Sequence, residues 1–529
     1  LDTAVTATAS EPAVLRRLAP ARPGWVRVSL LAAALLLGWA ALLPVGQRPQ
    51  WWHWALAGLV VVGFLGSWNG QHFSTALHRW APMAWRNRRR HRHPGTGDTA
   101  AAAPSGDDEL RSRITIHLRP QPHTLNTPDA HDDQLPWQFV TAWLDRYGIR
   151  ADALTVCSVT RTPPPSSLRS DAAAQLTART PQHRDTWLTY TLTAESNVGA
   201  LVARRTALST IEEPGSAEGP GRQRTGLAAV TARRLIAELR EQGWLASLCE
   251  DTAELPVFVP ATVGVRRECW TGTEYSDGFR AVYAVDPHQI DAVLDTLTAV
   301  PTKATWVAVT VRAHRTGPTT VEACVGMLTP ARPPLQPLAG LTGFHGLHRQ
   351  ATQALSTAGL DQTGELGALP QSPVDVDALA ALPWATSAMG VPIGFDRTRR
   401  PVYVGLSSPE PVRVTVTGTG DFHVGVISRL ALSGSPIAIY TRDPRRWTQL
   451  ANHGGPEQIR VNPATVTTTT IVVSDGGGDI PPGSVSVLLR RPQAAPPPAT
   501  TIVITQDPRR PELFTITTPR GNQWLSLRL

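Results

Sequence analysis

The chain has 529 residues, a formal net charge of +8 and only 17% charged residues, against 42% hydrophobic ones. That length accommodates two or three domains with sizeable cores, and the hydrophobic content excludes a wholly disordered chain. The four cysteines (Cys157, Cys249, Cys269 and Cys324) form no C-x-x-C pair. This argues against a paired zinc spacing and reads as free thiols in a reducing compartment.

Residues 1–24 read as an N-terminal cytoplasmic tail. Two uncharged apolar runs follow, Val28 to Val45 and Trp51 to Trp68. A helix rising ~1.5 Å per residue needs roughly 20 residues to cross a ~30 Å hydrocarbon core. The runs therefore read as a transmembrane hairpin over 25–70, with spans of about 27–45 and 51–68. Trp25, Trp51, Trp52 and Trp68 flank the spans, where indoles favour a membrane interface. No small-x-small cleavage site cleanly follows the first run, which argues against a signal peptide.

The segment RWAPMAWRNRRRHRH comes next and carries Arg86, Arg88, Arg89, Arg90 and Arg92, whereas the inter-run loop holds only Arg48. The positive-inside rule then predicts a multi-pass inner-membrane protein with both termini cytoplasmic. Anionic lipid is the expected partner of the arginine run, and no nucleic acid is expected. Residues 71–110 read as a basic juxtamembrane segment and linker.

Residues 111–330 mix strand and helix signals and predict a cytoplasmic α+β domain. RITIHLRP and LTVCSVTRT alternate as strands do, and QLPWQFVTAWLDRYGI has helical spacing ended by Gly148. TWLTYTLTA and LVARRTALST read as two antiparallel arms around Asn197 and Gly199. Gly226 to Trp244 is the clearest amphipathic helix. The segments ECWTGTEY, FRAVYAV, ATWVAVTVRAH and VEACVGML read as strands, with a helix in HQIDAVLDTLTAV. Residues 331–375 form a Pro/Gly-rich linker with one short helix, and 376–529 a strand-rich C-terminal α/β region.

That last region holds VTVTGTGDFHVGVISRLALSGSPIAIYTRD, read as strand, Gly-Thr-Gly turn, helix and strand. This predicts a Rossmann-like βαβ unit. Gly418 and Gly420 fill the first two glycine positions of the dinucleotide fingerprint, and Asp443 lies near the distance of the ribose-binding acid. His423 stands where the third small residue belongs, so the motif is half complete and no cofactor is expected. The phosphate loop G-x-x-x-x-G-K-[ST] is absent, the single lysine being Lys303 in PTKAT. His345 and His348 lack an acidic third ligand nearby, and Asp375 and Asp377 read as helix-start acids. No constellation demands catalysis and no metal site is expected.

The hairpin, the run RNRRRHRH and the long Thr/Ala/Arg-rich domain together resemble the EccE family of type VII (ESX) secretion systems. PVYVGLSSPEPVRVTVTG, SGSPIAIYTRDPRRW and TTTTIVVSD resemble that family's C-terminal part, RDPRRW most closely. The resemblance covers roughly Trp25 to Thr518. It implies a non-catalytic, membrane-anchored structural subunit assembling with EccB, EccC and EccD, of which EccC is the ATPase. The rival expectation is a membrane-anchored nucleotide- or nucleotide-sugar-binding enzyme built on Gly418–Asp443.

Overall fold

The computed structural model describes residues 25–42, 50–65, 67–68, 71–92, 111–119, 123, 125–127, 134–162, 183–209, 220–249, 255–314, 317–361, 366–373, 379, 382, 384, 390–406, 408, 410–465, 471–476, 483–492, 497 and 499–527. The N-terminal tail, the loop bearing Arg48 and the linker before Glu109 lie outside these residues, as do Asp375, Asp377 and the side chains of Trp25 and Trp68.

The two apolar runs form helices α1 (Trp25–Leu42) and α2 (Trp51–Leu65). They pack together through Trp39 and Trp54, whose rings meet edge-on at 5.2 Å. The expected spans are corrected here. At ~1.5 Å per residue α1 is about 27 Å long and α2 about 22 Å, both short of a ~30 Å core. The second run is cut at Leu65 because the chain then pairs Ser67–Trp68 with Gln71–His72 as a small hairpin. Among the described residues no helix is long and apolar enough to cross a membrane. The transmembrane hairpin, and the multi-pass inner-membrane location built on it, are therefore not supported. The basic segment forms a third helix, α3 (Phe73–Arg92), which contains Pro82.

Nine strands of the next region form the main path of an antiparallel sheet, onto which the short strands Leu341–Gly343 and Ser372–Pro373 also pair. The nine are β1 (Arg111–Arg119), β2 (Ala153–Arg161), β3 (His183–Thr193), β4 (Leu245–Leu248), β5 (Val265–Cys269), β6 (Gly272–Tyr275), β7 (Gly278–Val285), β8 (Ala304–Arg312) and β9 (Thr320–Thr329). Their order is β5-β6-β7-β9-β8-β2-β3-β1-β4. Both faces are covered. Val307, Val309 and Val311 of β8 join one core with α4 (Pro220–Glu241) and α5 (Ile290–Leu297). The alternate residues Ala304, Trp306 and Ala308 join another with Phe258 and α6 (His348–Ala354). Double burial explains why these strands are apolar on both sides of the pleat. Polar residues within the sheet pair with each other: Thr155 with Thr310 at 2.9 Å and Ser158 with Thr186 at 2.7 Å.

The expected hairpin around Asn197 is not formed. LVARRTALS is helical, Val198–Ser209, and β3 pairs instead with β1 and β2. Asn197 accepts from the Arg150 N–H and donates to the Arg150 and Thr193 carbonyls, turning the chain there.

The C-terminal region forms a second sheet from β10 (Val391–Phe395), β11 (Pro401–Val404), β12 (Val412–Thr417), β13 (Ile437–Thr441), β14 (Ile459–Val461), β15 (Ile471–Asp475), β16 (Val485–Arg490), β17 (Ile502–Gln506), β18 (Leu513–Thr518) and β19 (Gly521–Ser526). Its order is β14-β13-β15-β16-β12-β17-β18-β19-β10-β11, and Leu125–Asn126 from the first region pairs onto β11. The β14-to-β17 half is parallel and the remainder antiparallel.

This order corrects the expected Rossmann-like unit. Helix α7 (Gly420–Ala431) joins β12 to β13, but β16 and β15 lie between those two strands. A dinucleotide-binding half would place them side by side. The sheet is also not doubly wound. Among the described residues its helical cover lies on one face, where Phe422, Val426, Ile427 and Leu430 of α7 pack with Trp447 and Leu450. On the other face, Thr415, Thr417, Ala438, Val472 and Ser474 are buried as well but belong to no apolar cluster among the described residues.

Candidate functional site

In open α/β sheets, ligands bind outside the carboxyl ends of the parallel strands. Here that crevice lies above Thr417, Thr441, Asp475 and Arg490, and the chain's own side chains occupy it. The Thr419 N–H donates to Gln506 Oε1 at 2.7 Å, so an amide oxygen sits where the turn would meet an anion. The Gly418 N–H donates to the Arg490 carbonyl at 3.0 Å. A Cβ on Gly418 would come within 2.5 Å of the Phe422 ring and 2.9 Å of Gln506 Oε1. Close internal packing thus requires glycine at that position.

Arg446 fills the rest of the crevice. Its Nη2 donates to the Gly420 carbonyl at 2.8 Å and to His423 Nδ1 at 2.9 Å, and its Nη1 lies 3.3 Å from both Asp475 oxygens. Asp475 also accepts from Trp447 Nε1 at 2.9 Å and Thr441 Oγ1 at 3.1 Å. His423 Nε2 donates to the Arg490 carbonyl at 3.0 Å, which leaves Nδ1 as the acceptor for Arg446. Burial, reinforced by the Arg446 charge, lowers the His423 pKa and keeps the ring neutral. Gly418 and Gly420 thus line this cluster. Asp443 is exposed and opens the short Pro444–Trp447 turn, its N–H bonded to Thr441 Oγ1 at 3.0 Å. The Arg446–Asp475 pair was not read from the sequence. Its only local signals were RDPRRW and the aspartate ending the apolar strand IVVSD.

The arginine run divides in two. Arg86 and Arg90, one helical turn apart, both reach the Glu268 carboxylate of β5, with bonds of 2.7–3.0 Å from Arg86 and 2.8 Å from Arg90. Arg349 of α6 adds a third guanidinium at 3.2 Å. Asn87, between them, accepts from the Glu268 N–H at 2.9 Å and donates to its carbonyl at 2.8 Å. Its side chain thus imitates a neighbouring strand at the sheet edge. Glu268 is 3% exposed. Burial alone would raise its pKa, but the Arg86 and Arg90 hydrogen bonds and charges outweigh that and hold it below the usual carboxylate range. Arg88, Arg89 and Arg92 remain exposed, Arg89 stacking over Trp85 at 5.0 Å.

Of the interface tryptophans, Trp51 is 81% exposed. Trp52 is also exposed; it stacks on His53 and donates to Gln50 Oε1 at 2.7 Å. Leu36, Leu37, Leu56, Leu59, Leu77 and Trp85 are exposed as well, so the three N-terminal helices carry an uncovered apolar surface.

His345 and His348 sit behind α3 with ring centroids 5.7 Å apart. His348 Nδ1 accepts from the Val282 N–H at 3.3 Å, and burial followed by the His345 neighbour pushes its pKa down to about 3. Among the described residues no three His, Cys, Asp or Glu side chains are grouped to hold a metal ion. Cys157 and Cys324 are buried on either side of Ala308, one strand away from it each, and all four cysteines are free.

No protein-family model matches the chain. It is 30% identical to the ESX-3 secretion system protein EccE3 of Mycolicibacterium smegmatis (strain ATCC 700084 / mc(2)155) over 340 residues, which cover 63% of this chain and 90% of that protein. It is also 30% identical over 267 residues to the ESX-3 secretion system protein EccE3 of Mycobacterium tuberculosis (strain CDC 1551 / Oshkosh), and 29% identical to that of strain H37Rv. Those matches cover 50% of this chain and span 63% of the length of each M. tuberculosis relative.

Proposed function

We propose a structural role in protein export from one premise: the chain belongs to the EccE family of type VII (ESX) secretion-system proteins. In this reading it is a non-catalytic subunit that contributes to assembly or stability of the complex. Its partners are then the EccB, EccC and EccD subunits that the family resemblance implies.

The observation that carries the reading is the uncovered apolar surface of α1, α2 and α3. Exposed apolar surface of this kind is what an interaction site presents. Helices short of a bilayer's thickness, presenting leucine and tryptophan outward, suit packing against helices of other subunits. The rival enzymatic reading needs an open crevice above the C-terminal sheet. Gln506, Arg446 and His423 instead satisfy the turn and the strand ends internally, which supports the structural reading.

The test is a pull-down of the tagged full chain from its native host in mild detergent, with every co-purifying protein identified. Recovery of a large assembly containing an ATPase subunit is the expected result. Charged substitutions of Leu37 and Leu59 should then deplete the assembly. Recovery of the chain alone, under conditions that keep other complexes intact, would count against the reading. Thermal stabilisation of the isolated chain by a nucleotide, abolished by Gly418→Ala, would favour the enzymatic rival.

A further inference from the structure

We propose that the groove between α3 and β5 is a docking site for an acidic peptide segment of a partner protein. The groove encloses about 460 Å³, within the range of ligand clefts. Arg88, Arg267 and Arg332 supply its charge, and Trp80 and Trp270 supply flat apolar surface.

Three observations lead to an acidic occupant. First, Glu268 at the groove is already neutralised. Arg86, Arg90 and Arg349 bring three positive charges to its single negative one. Second, none of the lining arginines is neutralised by a carboxylate among the described residues. Among the described residues Arg88 and Arg267 make no ion pair, and Arg332 donates to Thr271 Oγ1 at 3.1 Å. Glu274 stands opposite Arg267 in the β5–β6 register without bonding to it. Third, the strand edge is closed. Asn87 takes the outward N–H and C=O of Glu268, and the β5–β6 register shifts between Val265 and Arg267. A bulged, capped edge resists strand addition.

Recognition at this groove therefore runs through side chains. Guanidinium forks pair with carboxylates, and indole faces take the apolar residues between them. The arginines converge on one short groove instead of forming a stripe, which suits a peptide segment better than a nucleic-acid backbone. This inference goes beyond the assembly role. It is tested on the isolated chain, so its failure is read separately from that of the pull-down.

The experiment measures fluorescence anisotropy of a short fluorescein-labelled peptide of alternating glutamate and leucine against the full chain in mild detergent. A peptide with lysine replacing glutamate is the control. Binding that weakens with added salt is expected for the acidic peptide alone. Arg88→Glu combined with Arg267→Glu should weaken it at least about tenfold, since like charges then face each other across the groove. Both residues are exposed and lie outside the Glu268 cluster, so the variant should keep the wild-type circular dichroism. Arg89→Glu, on the same helix but not lining the groove, should change affinity by less than about twofold. Equal binding by the double variant and the wild type would overturn the proposal, as would equal binding of the lysine peptide. Failure to bind the acidic peptide, with co-sedimentation on phosphatidylserine vesicles, would assign the groove to lipid instead.

Discussion

The two large sheets of this protein solve burial differently. The first, antiparallel throughout, is clamped between two apolar cores, and some of its buried polar residues are threonines and serines bonded to one another. The second is half parallel, yet among the described residues its helices pack on one face only. Parallel sheets normally bury both faces under crossover helices. The contrast shows that strand direction did not decide which sheet became the double-sided one. The supply of helices did: α4, α5 and α6 surround the first sheet, whereas α7 and the short Thr448–Gly454 helix share a single side of the second.

The largest way to break this comparison is in the single core of the second sheet. Trp447 is fully buried and its indole N–H holds Asp475. Trp447→Ala should cost ~3–5 kcal/mol. If the sheets unfold as separate units, urea denaturation should show only one of two transitions moving. A shift of both by equal amounts would mean that the Leu125–Asn126 strand joins them into one cooperative unit.

Next comes Glu268→Ala, which strips the carboxylate from three arginines. Breaking such a buried cluster costs ~3–5 kcal/mol. The loss should fall on the docking of α3, seen as faster amide exchange in Phe73–Arg92, with the transition of the second sheet unmoved. Unchanged exchange there would show that α3 is held by other contacts.

A pH titration sharpens the same contrast. The folded pKa of His348 is about 3, while an unfolded histidine titrates near 6.5. Between those values the unfolded chain binds a proton that the folded chain refuses, so stability falls as pH decreases. From pH 7 to 5 this amounts to ~2 kcal/mol. His348→Gln should remove that slope from the first sheet's transition. Glu268 acts in the same direction at lower pH. Its depressed pKa gives stability present above the ordinary carboxylate range and lost as pH falls through the folded value.

The most local effect is expected from Gly418→Ala. The new methyl would meet Phe422 and Gln506, and overpacking of this kind costs ~1–3 kcal/mol. A thermal melt in which the substitution is neutral would indicate that the turn is looser than its contacts imply.

Much of the first sheet was legible in the sequence. RITIHLRP, FRAVYAV, ATWVAVTVRAH and VEACVGML fall on strands, and the Gly226–Trp244 pattern overlaps the C-terminal part of α4, which stops at Glu241. LVARRTALS misled because short apolar runs fit either strand or helix periodicity, and its leucine and alanine favour helix. The candidate sites were less legible. Gly418 and Gly420 announced a turn, but its occupants, Gln506 and Arg446, lie far along the chain or two strands across the sheet.

By itself the sequence determined the family, the apolar character of the N-terminal helices, the alternation of strands and helices, and the density of arginine near α3. Those properties are local, set by side-chain type and by spacing along a few turns or a single strand. Only the tertiary structure decided that α2 stops at Leu65, that β16 and β15 separate β12 from β13, and that Arg86 and Arg90 are consumed by Glu268 while Arg88 is left free. The first depends on a small local hairpin that apolar content does not announce, the second on a strand order that local periodicity does not encode, and the third on residues more than a hundred positions apart.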